Sequence, residues 1–175
     1  MKHVLLLMLC ALLIIPLKSQ DEPSPSVLPE SPFIIGRISF IAPKLVMEIA
    51  PSEKFTLTTG FSFRASFYHE DSQGNRIYDP SFSPSFSFEP RYYFNLDDRR
   101  SKGKRTEYYS GWYIGVPFNI EFPDLRFLFG ADIGFQSIFG KRWFWNFSVG
   151  PGFAFYDARY HFTGVGEFGF GIILN

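Results

Sequence analysis

Residues 55–68 read Phe55-Thr56-Leu57-Thr58-Thr59-Gly60-Phe61-Ser62-Phe63-Arg64-Ala65-Ser66-Phe67-Tyr68. Phe55, Leu57, Phe61, Phe63 and Phe67 fall on one parity, while Thr56, Thr58, Gly60, Ser62, Arg64 and Ser66 fall on the other. Successive side chains of a β-strand point to opposite faces, so this stretch is a strand with one ring-rich face and one small, polar face.

The same two-residue period recurs at 81–95, 112–121, 125–136, 143–155 and 161–174, and over shorter lengths at 33–42 and 44–50. The six longer runs reach about ten residues, which is what a tilted strand needs to cross a bilayer. Strands of ordinary globular domains average about 5–6. No stretch after residue 32 carries a helical pattern. The expected fold is therefore all-β: a transmembrane, antiparallel, up-and-down β-barrel of eight strands, an even number as single-chain bacterial barrels have. Turns are expected at 51–54, 97–106 and 137–141 on the side of the chain ends, and at 69–80, 123–124 and 157–159 on the other. Pro84, Pro90, Pro117 and Pro151 fall inside strands, where a missing N–H donor predicts bulges.

Residue size decides which face points inward. The chain holds 23 Phe and 15 Gly in 175 residues. An eight-stranded barrel has an interior only wide enough for ordinary side chains, so the rings belong outside and Gly, Ser, Thr and Ala inside. The opposite arrangement, a soluble lipocalin-like binder with an apolar lumen, stays open as an alternative. Glu48, Arg64, Glu89, Arg91, Asp132 and Glu167 all share the small-residue parity near mid-strand, and are expected to converge as a lumen charge network. An Arg on a lipid face at mid-membrane would cost about 2–4 kcal/mol, and a one-residue slip would move each strand's charge into lipid, so these residues also fix register. Trp112, Trp143, Trp145 and Tyr92 lie near strand ends, as interfacial aromatics do.

The N-terminus reads as an export signal. Lys2 and His3 precede an apolar run from Val4 to Leu17 and then Lys18-Ser19, which gives a cleaved signal peptide over 1–19. Residues 20–32 form a proline-rich extended leader, and 33–175 the barrel. Cys10 lies within the apolar run, wrongly placed for lipidation, and cleavage removes this sole cysteine. The 17 basic and 17 acidic residues balance, so nothing suggests a nucleic-acid partner.

Glu89-Pro90-Arg91-Tyr92-Tyr93-Phe94-Asn95-Leu96, with the basic turn Lys102-Gly103-Lys104 and Ser110-Gly111, resembles a segment of small outer-membrane β-barrel (porin-like) proteins of Gram-negative bacteria. Gly140-Lys141-Arg142-Trp143-Phe144 and Gly150-Pro151-Gly152 do so too. The resemblance spans roughly residues 33–175. It implies an outer-membrane location, contact with lipid and lipopolysaccharide, and insertion by the outer-membrane assembly machinery, rather than an activity. Such barrels often end in an aromatic residue, whereas this chain ends Ile172-Ile173-Leu174-Asn175, with Phe170 the nearest ring.

Chemistry-bearing residues are sparse. His69 and His161 alone survive cleavage with no cysteine, so no metal or cofactor is expected. A lipid A deacylase or acyltransferase would need a nucleophile, a base and an orienting carboxylate. His161 with Thr163, or His69 beside Glu70, Asp71 and Ser72, are the available materials. The reading is a structural or surface-interaction barrel with a plugged polar lumen and no catalytic residue. A narrow porin-like channel is the other non-enzymatic alternative.

Overall fold

The computed structural model describes residues 33–41, 43–70, 76–123 and 125–174, and the side chains of all of these except 33, 64–70 and 76–81. The signal peptide and leader expected over 1–32 lie outside the described residues.

Among the described residues, ten antiparallel strands form one sheet: β1 Phe33–Ser39, β2 Lys44–Ala50, β3 Phe55–Glu70, β4 Arg76–Tyr93, β5 Gly111–Gly115, β6 Phe118–Glu121, β7 Arg126–Gly130, β8 Asp132–Phe139, β9 Trp143–Tyr156 and β10 Arg159–Ile173. β5 with β6, and β7 with β8, each make one interrupted stave. Pairing with the neighbours continues in step across both interruptions: β4 pairs Arg91 with Gly115 and Phe88 with Phe118, and β9 pairs Phe153 with Phe129 and Val149 with Ile133. The chain thus winds eight staves, and β10 pairs with β1 to close them into a barrel.

The interruptions sit at prolines, but the expected bulges are absent. A register shift occurs instead between Ser66 and Tyr68. Each proline keeps its acceptor in the ladder and loses only its donor: Pro90 O accepts from Val116 N (3.1 Å), Pro84 O from Phe122 N (2.9 Å), Pro117 O from Gly130 N and Pro151 O from Ala131 N (both 3.1 Å). No extra residue is needed to accommodate a missing donor, so the strand stays in register.

Side-chain direction follows the alternation. Met47, Phe63, Phe86, Phe88, Trp112, Ile114, Phe147, Phe153 and Phe168 are exposed on the outer face, while Glu48, Thr56, Thr58, Glu89, Arg91, Asp132, Asn146 and Ser148 are buried within. The apolar-lumen arrangement of the lipocalin-like alternative is not the one this chain adopts. Tyr93, Tyr113 and Phe144 are large exceptions inside, and the Tyr113 ring lies over Gly134, where an added Cβ would collide with it.

Three expectations need correction. β1 ends at Ser39 rather than at 42, with the chain already turning at Phe40 ahead of Pro43, while β2 spans Lys44–Ala50 as expected. The segment 69–80 is mostly strand, with β3 and β4 leaving only residues 71–75 between them. The 94–110 connection is no simple turn. It contains α1, Leu96–Ser101, with Asp97 and Asp98 in its first turn and Arg99 and Arg100 in its last, a charge order that suits the helix dipole. A tight turn over Glu107–Tyr109, with left-handed backbone at Tyr108 and Tyr109, follows.

Gly134→Ala is expected to lower stability by about 1–3 kcal/mol through overpacking against Tyr113. Urea unfolding of the barrel, followed by tryptophan fluorescence, measures it.

Candidate functional site: the lumen

The lumen is closed at one end. Both described chain ends, Phe33 and Leu174, lie there, and so does the β4–β5 connection, which folds over the opening. Ile35, Ala50, Tyr93, Tyr113, Ile138, Phe144 and Ile173 point inward and pack with Leu96 and Tyr109 from that connection into the buried apolar cluster. Tyr108 and Tyr109 adopt left-handed backbone conformations (φ 47° and 63°), a strain of about 1–3 kcal/mol each. The reward is hydrogen bonding: Tyr108 O accepts from Gln136 Nε2 at 2.8 Å and from Arg37 Nη2 at 3.4 Å. The Tyr109 hydroxyl donates to Ser52 O (2.8 Å), and Arg105 Nη1 to Gly140 O (2.6 Å), so the connection ties down the turns around it. Outside, Lys54 pairs with Asp97. Their hydrogen bond raises the Lys54 pKa and lowers that of Asp97. Burial pushes the Tyr109 hydroxyl up to about 12. Tyr109, near a strand end in the sequence, is part of the plug.

Above the plug lies a connected polar network. Glu48 pairs with Arg37, its diagonal neighbour on β1, and accepts from the Tyr93 hydroxyl at 3.3 Å. Glu89 and Arg91, two apart on one strand face, pair at 2.7 Å. The Arg91 guanidinium lies over the Tyr113 ring, 4.4 Å from its centroid. The Tyr113 hydroxyl donates to Asn146 Oδ1 (2.9 Å), and Asn146 Nδ2 to Glu167 Oε1 (3.3 Å). Glu167 also pairs with Lys44. Asp132 faces Glu89 across Gly115, whose added Cβ would collide with a carboxylate oxygen of each.

Of the six charges expected in the lumen, Glu48, Glu89, Arg91, Asp132 and Glu167 are therefore brought together. The side chain of Arg64 lies outside the described residues. Sequence reasoning missed Arg37, Lys44, Tyr93, Tyr113, Gln136 and Asn146 as members. All six share the inward parity, so the signal was present, but their partners depend on register between strands. Trp112, Trp143 and Tyr92 are exposed on the outer face, and Trp145 is half-buried there; Trp112 and Trp145 both contact Phe135.

Toward the other end the network gives way to an open cup of about 380 Å³, lined by Lys44, Ser62, Ser85, Glu89, Asp132 and Glu167 among others. His161 stacks on Tyr156 with centroids 4.2 Å apart, while the Thr163 hydroxyl donates to Gly164 O, so no hydrogen bond joins the pair considered for catalysis. The His69 side chain lies outside the described residues. Among the described residues, no group of three His, Cys, Asp or Glu side chains is placed to hold a metal ion.

Comparison with protein-family models, with curated proteins and with solved structures returns no match. The class this chain defines rests on its own geometry: a closed eight-stranded antiparallel barrel with a polar, charge-paired lumen.

Removing one partner of the Arg37–Glu48 pair, by Arg37→Met, strands a buried carboxylate and is expected to cost about 3–5 kcal/mol. Arg37→Met with Glu48→Leu is expected to cost clearly less, and chemical denaturation of the three variants makes the comparison. Burial disfavours the Tyr109 phenolate, so stability is lost as pH rises from about 10, where the unfolded chain ionises, to about 12. Unfolding midpoints across that range should fall in the native protein and fall less in Tyr109→Phe.

Proposed function

We propose that the chain is an integral outer-membrane β-barrel protein, exported through a cleaved signal peptide, with a structural or surface-interaction role and a plugged polar lumen. The outer face carries the reading. Rings cover it from the Trp112 and Trp143 level up to Phe82 and Phe162, which are 70% and 75% exposed, while Arg37, Glu48, Glu89, Arg91 and Asp132 are buried in the lumen. A soluble monomer rarely presents an apolar patch beyond a few hundred Å², whereas a bilayer removes such a band from water. Outer-membrane lipid and lipopolysaccharide are the partners this band fits, with insertion left to the outer-membrane assembly machinery.

Tyr92, Trp112, Trp143 and Trp145 cluster at the plugged end, and an aromatic girdle at the periplasmic interface accounts for them. Orientation with both chain ends in the periplasm then turns the open cup outward. The apolar plug favours a closed barrel over a porin-like channel, and no catalytic residue or cofactor is assigned.

The deciding experiment is electrophoretic mobility in SDS of the membrane-extracted protein, unheated against boiled. A boiling-dependent shift is expected, with no steady open level in planar bilayers. A single mobility, with the protein in the soluble periplasmic extract, would overturn the reading.

A further inference from the structure

The barrel wall has uneven height. β1 and β2 have seven residues each, whereas β3, β4, β9 and β10 have 16, 18, 14 and 15. β2 pairs with β3 only as far as Lys44 with Ser62, and β1 with β10 only as far as Ser39 with Gly171, with one further hydrogen bond from Phe40 N to Phe170 O. Beyond these points β3 and β10 continue upward, and among the described residues neither has a ladder partner on the side facing the other. The short hairpin therefore leaves a notch in the wall.

The cup opens into this notch. Ser62 and Phe63 line it from β3, Gly164 and Glu167 line it from β10, and the Lys44–Glu167 pair forms its sill. Phe40, Phe63 and Phe168, all exposed on the outer face, border the sill from outside. On the cup floor, Asp132 is 5% exposed and Glu89 is 6% exposed, yet among the described residues Asp132 Oδ1 and Glu89 Oε1 have no hydrogen-bond partner. Buried carboxylate oxygens call for donors. A primary ammonium supplies three, in a space already walled by serine hydroxyls.

We infer that the cup holds the primary ammonium head of an amphiphile, of the phosphoethanolamine kind, which enters sideways through the notch while its hydrocarbon chain stays outside against Phe40, Phe63 and Phe168. Lys44 at the sill stands where the head-group phosphate passes. The unpaired strand edges gain polar partners at a depth where lipid chains offer none. A metal ion suits the floor less well, with two free carboxylate oxygens and no three-ligand group among the described residues.

This inference rests on the outer-membrane reading, and the test keeps the two apart. Full-length protein in dodecyl maltoside micelles is incubated with equal amounts of lysophosphatidylethanolamine and lysophosphatidylglycerol, and bound lipid is counted by native mass spectrometry. Retention of one lysophosphatidylethanolamine, at least about tenfold over the glycerol lipid, is expected. Asp132→Asn should bring the two to parity while the unheated SDS mobility stays shifted. Ser62→Trp, which fills the cup without touching its charge, should abolish retention. Equal retention by the native protein, or undiminished preference in both variants, would overturn the inference. Displacement by free ethanolamine at the same concentration would also overturn it, by placing the ligand in solution rather than in lipid. Loss of the mobility shift in the native protein would instead count against the membrane reading itself.

Discussion

Everything in this barrel depends on the seam between its last and first strands. A sheet that fails to close presents two rows of unpaired N–H and C=O groups, and only closure removes them. Here the seam is short: Arg37, Ile38 and Ser39 meet Ile173, Ile172 and Gly171, with Phe40 N on Phe170 O and Leu174 N on Gly36 O at its ends. Gly171 is required at this point, because a Cβ there would collide with the backbone of Ile38. So brief a ladder needs reinforcement. Lys44 supplies some by reaching from β2 past β1 to Glu167 on β10.

The interior extends that reinforcement around the circumference. Arg37 joins β1 to β2 through Glu48 and to the end plug through Tyr108 O, and Glu48 reaches β4 through Tyr93. Tyr93 packs on Tyr113, and Tyr113 carries the chain of contacts to β9 and β10 through Asn146 and Glu167. In a low-dielectric space each unpaired charge would be costly, so the network specifies which strand lies beside which as much as it stabilises them. Its apolar lower part and polar upper part divide the lumen into a plug and a cup.

The barrel itself was legible because period-2 alternation is a local property, readable at Phe55–Phe63 without knowing what lies opposite. Parity also placed Glu48, Glu89, Arg91, Asp132 and Glu167 inside. Their partners were not legible, since Arg37 meets Glu48 only when β1 and β2 align so that Arg37 faces Val46. The plug escaped for a different reason. The 94–110 connection has no period to read, and Tyr109 turns inward through left-handed backbone at two successive tyrosines, a conformation few side chains signal in advance. The prolines misled because a lost donor was equated with an inserted residue. The strand tolerates the first without the second.

The plug gives the molecule a direction. The cup lies on the side of the β3–β4 and β9–β10 hairpins, while the tyrosine-rich plug lies between it and the side of both described chain ends. Lys44, Glu167 and Asp132 consequently line the open part of the lumen. The paired charges of the lumen and the aromatic packing of the plug thus lie toward opposite ends of one interior.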